Sequence, residues 1–269
     1  MRILIFGPKS WTAQMLWKEL EKQGHQVEGC HHDINSLVKI DDSIDVVINC
    51  AASTNIDWVE QNKNRTFWNN VLGAVSVAKV CKQSNKRYVF ISSACIFESQ
   101  DMDDWKDEYS KPNPQCFYAE TKVMAEKLIK EISPETLIIR IRLPLSEVPH
   151  PRNTINKLLT YKTLQTNQES VTVMEDAIPE IIKLIEQGFV GQVHLINSGT
   201  ISPDEIGDLF NHPHEKVSKA TMDVRMEIGN KARRVTTYAR SARVQPLPDI
   251  RERIKSVVAR YKEYAKSAN

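Results

Sequence analysis

Glycine is scarce in this chain of 269 residues, with only nine against twelve prolines, and no repeat or low-complexity tract is present. Cysteine is sparse as well: Cys30, Cys50, Cys81, Cys95 and Cys116 are odd in number and include no C-x-x-C spacing. That excludes a disulfide framework and a cysteine-built zinc site, so free thiols and no metal are expected. Neither sign of charge dominates, because 36 Lys+Arg face 34 Asp+Glu and the two are interspersed. A nucleic-acid binder would carry a strong basic excess. The one local exception is 233–243, with Arg233, Arg234, Arg240 and Arg243, which reads as a solvated basic face that could also meet phosphates. No apolar run approaches the roughly 20 residues that span a bilayer. Met1-Arg2 leads directly into Ile3-Leu4-Ile5-Phe6 without the pattern of a signal peptide, so the cytoplasm is the expected location and no membrane partner is foreseen. With 41% hydrophobic and 26% charged residues, disorder is excluded.

What is present is alternation. Strands are predicted at 2–6, 26–30, 46–50, 87–92 and 136–141, with amphipathic helices at about 11–23, 62–84 and 118–131 between them. Several strands are apolar at nearly every residue, as when helices cover both faces of a sheet. The pattern specifies an α/β fold with a doubly wound parallel sheet. Residues 1–150 are expected to form a dinucleotide-binding domain. Residues 151–269 are expected to form a small mixed α/β substrate-binding lobe, part of it returning to the main domain. In that lobe the helices are placed at 153–163, 175–187, from 202 and at 249–266, and the strands at 171–173 and 191–196. Ligands of open parallel sheets bind beyond the carboxyl ends of the strands, which directs attention to residues just after 6, 30, 50, 92 and 141.

The first strand ends in Gly7-Pro8-Lys9-Ser10-Trp11-Thr12-Ala13. A dinucleotide site needs a tight turn there, with a helix N-terminus aimed at the pyrophosphate. Gly7 and Ala13 meet that demand and Ser10 approximates it. An ordinary turn with Ser10 or Thr12 as N-cap fits the same residues. After the second strand, Cys30-His31-His32-Asp33 places no carboxylate at the strand end, although Glu28 would serve if the strand ended early. This favours NADPH over NADH, with His31 or Lys9 available to the extra phosphate, and Asp33 lies in the same loop.

Tyr118 and Lys122 are spaced i, i+4 at the start of a helix, which puts them on one face. The ammonium can then lower the pKa of the phenol. The pair lies between the fourth and fifth strands, facing Ser92-Ser93 at the end of the fourth. A hydroxyl there can hydrogen-bond the carbonyl that Tyr118 protonates.

On these residues the chain resembles the extended short-chain dehydrogenase/reductases, a Rossmann-like family. Within them it resembles the nucleotide-sugar branch that contains dTDP-4-dehydrorhamnose reductase and the bifunctional 3,5-epimerase/4-reductases of UDP-rhamnose synthesis. The supporting strings are Gly7-Pro8-Lys9-Ser10-Trp11, Asn49-Cys50-Ala51-Ala52, Asn70-Val71-Leu72-Gly73, Ser93-Ala94-Cys95-Ile96-Phe97, Phe117-Tyr118 through Lys122, Arg142-Leu143-Pro144 and Pro151-Arg152-Asn153. The resemblance implies catalytic roles for Ser93, Tyr118 and Lys122, with Cys95 and Lys157 as acid and base of an epimerisation. It also implies cofactor contacts at Gly7, Lys9, Ser10, Trp11, Thr12, His31, Asp33, Ala51, Ala52, Asn70, Lys122 and Leu143. Arg152 and Asn153 are implied substrate contacts, the substrate being a nucleotide-diphosphate sugar with UDP favoured over dTDP, and a homodimer is a family expectation. Two further readings stay open: a 4-reductase alone, including one for an N-acetylated hexulose, and a non-catalytic NADP-binding subunit, which the glycine-poor turn favours and the intact Ser93, Tyr118 and Lys122 set disfavours.

Overall fold

The computed structural model describes residues 1–30 and 39–267. In chain order the elements begin with β1 (Arg2–Phe6), α1 (Trp11–Lys22), β2 (Gln26–Cys30), β3 (Val46–Asn49), α2 (Ile56–Gln61), α3 (Lys63–Phe67), α4 (Gly73–Gln83), β4 (Arg87–Ser93), α5 (Phe117–Ile132) and β5 (Leu137–Ile141). They continue with β6 (Pro144–Leu145), α6 (Thr154–Leu158), β7 (Thr163–Gln165), β8 (Thr172–Val173), α7 (Met174–Glu186), β9 (Gly191–His194), α8 (Pro203–Leu209), β10 (Glu215–Val217), α9 (Lys219–Ile228) and α10 (Ile250–Ser267). No described helix is long and apolar enough to cross a membrane.

The chain divides into two compact units. The first comprises Met1–Ile96, Pro114–Arg140 and Ile178–Val193. Its six-stranded sheet has the order β2-β1-β3-β4-β5-β9, with β1 parallel to β2 and β3, and β3 parallel to β4. Every residue of β3 is buried, which is what the run Val46-Val47-Ile48-Asn49 requires of a strand covered on both faces. The register sets Phe6 opposite both Cys30 and Asn49, so β1, β2 and β3 end at one edge of the sheet. One core layer joins Phe6, Val47, Tyr88, Phe90 and Ile138 to Val77 and Ala78 of α4 and Ala125 and Ile129 of α5.

The helix expected over 62–84 is present but interrupted. Trp68–Leu72 widens into a π-turn that apolar periodicity does not reveal, because its hydrogen-bond shift leaves the buried stripe nearly continuous.

The second unit comprises Phe97–Asn113, Ile141–Ala177 and His194–Asn269. Leu145, Ile155, Leu164, Val173, Ile206, Ile254, Val257 and Tyr261 form its core. Two short parallel pairs, β6 with β8 and β7 with β10, brace it. Ser202 caps α8 in a reciprocal capping box with Glu205. The helix expected over 153–163 is cut to Thr154–Leu158: Thr160 and Tyr161 turn back onto the carbonyls of Lys157 and Leu158, and Thr163 starts a strand.

The arginine-rich 233–243 segment is solvated at its arginines but not between Arg234 and Arg240. Val235, Thr236, Thr237, Tyr238 and Ala239 are buried, and only the flanking arginines supply the charge. Buried Arg142 donates to Glu169 (2.7 Å) and to the Val235 carbonyl (2.6 Å), and the Thr237 N–H donates to Glu169 (3.2 Å). Arg233 donates to Glu98 at 2.7 Å.

Candidate active site

Strand β1 ends in a turn that only a small residue can make. Gly7 has φ +70°, and a Cβ there would lie 2.8 Å from both the Cα and the N of Ala51. The loop after β3 is thus drawn against the turn after β1, and Asn49 holds it there. Its side chain accepts from the Ala51 N–H at 2.9 Å while donating to Tyr88 Oη at 3.0 Å. Substituting Gly7 with alanine is expected to destabilise the fold by at least about 2 kcal/mol, since left-handed backbone and a backbone clash add. Thermal unfolding checks this, and an unchanged midpoint counts against the close approach.

Ser10 is the N-cap of α1, its hydroxyl accepting from the Ala13 N–H at 3.3 Å, so the ordinary capping role is realised. No acidic residue lies in the first turn, and Lys9 beside it is exposed. A helix start with no acidic residue in its first turn, backed by a turn without a Cβ, fits an anionic phosphate group. Ala51 and Ala52 are half-buried beside it. Gly29, which sequence reading passed over, belongs to the same corner, because a Cβ there would meet Pro8 at 2.9 Å. Strand β2 runs on to Cys30, so Glu28 lies inside it, next to Arg2. His31 and Asp33 lie outside the described residues.

Asn70, fully buried in the π-turn, ties this loop region to the helix that carries Tyr118. Its amide oxygen accepts from the Ser53 N–H (2.7 Å), and its nitrogen donates to the Ser53 carbonyl (3.0 Å) and to Thr121 Oγ1 (3.2 Å). Thr121 in turn donates to the Tyr118 carbonyl at 2.7 Å. Glu60 of α2 accepts from the Phe117 N–H at 2.6 Å, capping α5 where its own N-cap residue, Cys116, supplies no side-chain bond.

At the end of β4 the two serines separate by function. Ser92 donates to Glu126 at 2.6 Å. Ser93 accepts from the Cys95 N–H at 3.1 Å and shares a hydrogen bond with the Tyr118 hydroxyl. Cys95 lies on a single 3₁₀ turn, Ala94–Ile96, and packs with Tyr118, Val59 and Cys116. Among the described residues no cluster of three or more His, Cys, Asp or Glu is placed to hold a metal.

The electrostatics correct one expectation. Lys122 does not lower the Tyr118 pKa: burial pushes the phenol above its ordinary value, nearby Cys95 and Cys116 add to the rise, and the Ser93 hydrogen bond only opposes it. The reason is where Lys122 points. Its ammonium donates to the Ile91 carbonyl at 3.0 Å and stands 4.6 Å over the Phe90 ring. Burial lowers the Lys122 pKa to about 8, with Glu126 acting against the fall. The phenol is therefore fully protonated at neutral pH, the state a proton donor needs.

The remaining expected residues belong to the second unit. Leu143 has φ +36°, a strained conformation for leucine, held between the Arg142 N–H bond to Thr172 and the β6–β8 pairing. Asn153 is fully buried and caps α6. Its nitrogen donates to the carbonyls of Ser146 (2.9 Å) and Val148 (3.0 Å), and its oxygen accepts from the Ile155 N–H (3.1 Å). It therefore holds the loop on which exposed Arg152 sits. Lys157 is exposed over much of its length, yet surrounding protein and the guanidinium groups of Arg152 and Arg234 lower its pKa.

The model of the RmlD substrate-binding domain family matches residues 1–180. The chain belongs to this family. Its relatives include a trifunctional UDP-glucose 4,6-dehydratase/UDP-4-keto-6-deoxy-D-glucose 3,5-epimerase/UDP-4-keto-L-rhamnose-reductase of Arabidopsis thaliana, 29% identical over 85% of this chain. The chain spans 37% of that relative's length, about a third as for the other trifunctional plant relatives. Among solved structures it is similar to the L780 UDP-rhamnose synthase of Acanthamoeba polyphaga mimivirus, with a TM-score of 0.85 and 26% identity over 97% of this chain and 99% of that one. The dTDP-4-dehydrorhamnose reductase of Bacillus anthracis in complex with NADP shares the fold, with a TM-score of 0.78 at 19% identity over 99% of each chain. This RmlD family member thus has the parallel sheet with flanking helices expected of its sequence.

Proposed function

We propose that this protein is an NADPH-dependent 3,5-epimerase/4-reductase that converts a UDP-4-keto-6-deoxyhexose to a UDP-6-deoxy-L-hexose such as UDP-L-rhamnose. The observation that carries the reading is the hydrogen-bonded pair of Ser93 and Tyr118, with Lys122 one helical turn on and Cys95 donating its N–H to the same serine. The activities named for the plant and viral relatives support the substrate class. The NADP complex of the bacterial neighbour supports the cofactor, as does the fit of the Gly7 turn and the start of α1 to a phosphate group.

When bound, NADPH supplies the hydride for C4 of the sugar. Gly7 and the N–H groups of Trp11 and Thr12 would hold its diphosphate, Lys9 its extra phosphate, and Lys122 its ribose. Ser93 and Tyr118 take the C4 carbonyl oxygen between them, and Tyr118 gives that oxygen its proton as the hydride arrives. Before reduction the same ketone acidifies the protons at C3 and C5. Lys157, its pKa lowered, removes a proton from one face and Cys95 returns one to the other. Ser93 and Tyr118 stabilise the enolate oxygen in the interval. Arg152 meets the nucleotide portion from a loop that Asn153 fixes.

The test is NMR of the purified protein with UDP-4-keto-6-deoxyglucose and NADPH in deuterated water. Deuterium at C3 and C5 of a reduced 6-deoxy-L-hexose is expected. Reduced product without deuterium demotes the protein to a 4-reductase acting on a sugar epimerised elsewhere. Absence of both reactions, on this sugar and on an N-acetylated hexulose, overturns the enzymatic reading in favour of a non-catalytic NADP-binding subunit.

A further inference from the structure

Behind Lys122 lies a buried ion pair that the reaction as described does not use. Glu126 follows Lys122 by one helical turn on α5 and is almost wholly enclosed, as is Arg140 of β5. Arg140 donates to Glu126 twice, Nε to Oε1 at 3.0 Å and Nη2 to Oε2 at 2.5 Å, a two-pronged geometry that fixes the carboxylate plane. Glu126 Oε1 also accepts the Ser92 hydroxyl proton at 2.6 Å. A buried ion pair contributes little net stability compared with apolar packing, so its placement here calls for another account.

The neighbours of Ser92 supply it. On one side stands Ile91, whose carbonyl accepts from the Lys122 ammonium; on the other stands Ser93, which is hydrogen-bonded to Tyr118. Three successive residues of β4 thus each make a polar contact with a side chain of α5, at Lys122, Glu126 and Tyr118. The middle contact is the one anchored by a third element, β5.

We propose that Glu126, clamped by Arg140, is a positioning residue: through Ser92 it sets the end of β4 against α5 so that Ser93 meets Tyr118 and the Ile91 carbonyl meets Lys122. This rests on the function proposed above. A second consequence is electrostatic. The groups facing the Lys122 ammonium are Glu126 on its own helix, Cys50 after β3, Cys95 after β4 and the Phe90 ring of β4. Glu126 is the one carboxylate among them, so it holds Lys122 protonated against burial.

Two sets of variants test the clamp. Ser92→Ala removes the link and leaves the ion pair intact. It is expected to lower kcat for ketone reduction about tenfold with KM within about twofold, as a small misplacement of reacting groups does, while Ser92→Thr, which keeps the hydroxyl, restores it. Glu126→Gln alone leaves Arg140 buried without its partner and can fail to fold, so Glu126→Gln is paired with Arg140→Met. In that double variant the alkaline limb of the kcat profile, and the Lys122 titration followed by NMR in substrate-free protein, are expected to move down by about one pH unit. The sign follows because the variant removes Glu126, the anion that raises the Lys122 pKa, whereas Arg140, lost with it, is not among the charges that act on this amine. Wild-type kcat in Ser92→Ala together with an unmoved Lys122 titration in the double variant overturns the proposal. If the wild-type protein reduces no sugar, the functional reading fails by itself, and the substrate-free titration still decides the role of Glu126.

Discussion

Replacing Tyr118 with phenylalanine is expected to lower kcat for ketone reduction by about two to four orders of magnitude, the usual worth of a positioned general acid. The ring packs among Val59, Cys116 and Ala119, and phenylalanine fills the same space. The structural loss is one hydrogen bond, to Ser93, worth about 1 kcal/mol. Stability should therefore change little, and NADPH binding should stay within about twofold, because the turn at Gly7 and the start of α1 lie on other elements of the unit. The sharpest form of the measurement is single-turnover oxidation of NADPH with a pre-epimerised 4-keto sugar, alongside a fluorescence titration of NADPH. Full activity in the variant would mean that another group protonates the oxygen. Loss of both activity and binding would mean that the phenol supports the cofactor site rather than the chemistry.

The raised pKa of this phenol bears on the mechanism. An i, i+4 lysine read from sequence points to a phenolate stabilised by an ammonium. In the fold, the Lys122 side chain turns to the strand edge and donates to the Ile91 carbonyl, leaving Ser93 as the polar neighbour of Tyr118. Helical spacing specifies a shared face but not where two long side chains point on it. That choice depends on which carbonyls the neighbouring strand leaves within reach.

The same distinction separates what was legible in the sequence from what was not. β3 could be read because all four of its residues are buried, so hydrophobicity alone marks them. The Gly7 turn could be located because a strand end, a small residue and a helix start coincide within seven positions. Other features depend on contacts far along the chain and leave no local trace. The burial of 235–239 follows from Arg142 and Glu169, some 70 to 90 residues away, and the arginines around it suggest the opposite. The π-turn that seats Asn70 alters hydrogen bonding without altering apolar spacing. Glu126 repeats the i, i+4 interval after Lys122 and so carried a signal. Its significance needed Arg140 and Ser92 beside it, since a glutamate on an amphipathic helix otherwise reads as solvated.

Lys157→Met and Cys95→Ala are expected to part company in deuterated water, and the contrast separates their roles. Without the Lys157 amine no proton leaves C3 or C5, so deuterium incorporation into the keto sugar should fall by about 10²-fold or more. Without the Cys95 thiol the enolate still forms, because Ser93 and Tyr118 remain to stabilise its oxygen. The base then returns deuterium to the face it came from, so the starting ketone exchanges without inverting. Both variants should reduce a pre-epimerised 4-keto sugar within about threefold of wild type, since neither holds the Tyr118 proton. The lowered Lys157 pKa favours the assignment of base, because burial first, and then the neighbouring Arg152 and Arg234, disfavour its positive charge. The setting of Cys95 favours the assignment of acid, because the residue packs with Tyr118 while its N–H donates to Ser93, and these two residues hold the carbonyl oxygen in the proposed reaction. Wild-type label in both variants would remove these two residues from the epimerisation and leave the Ser93–Tyr118 pair with reduction alone. Inversion retained in Cys95→Ala but lost in Lys157→Met would pass the acid role to water.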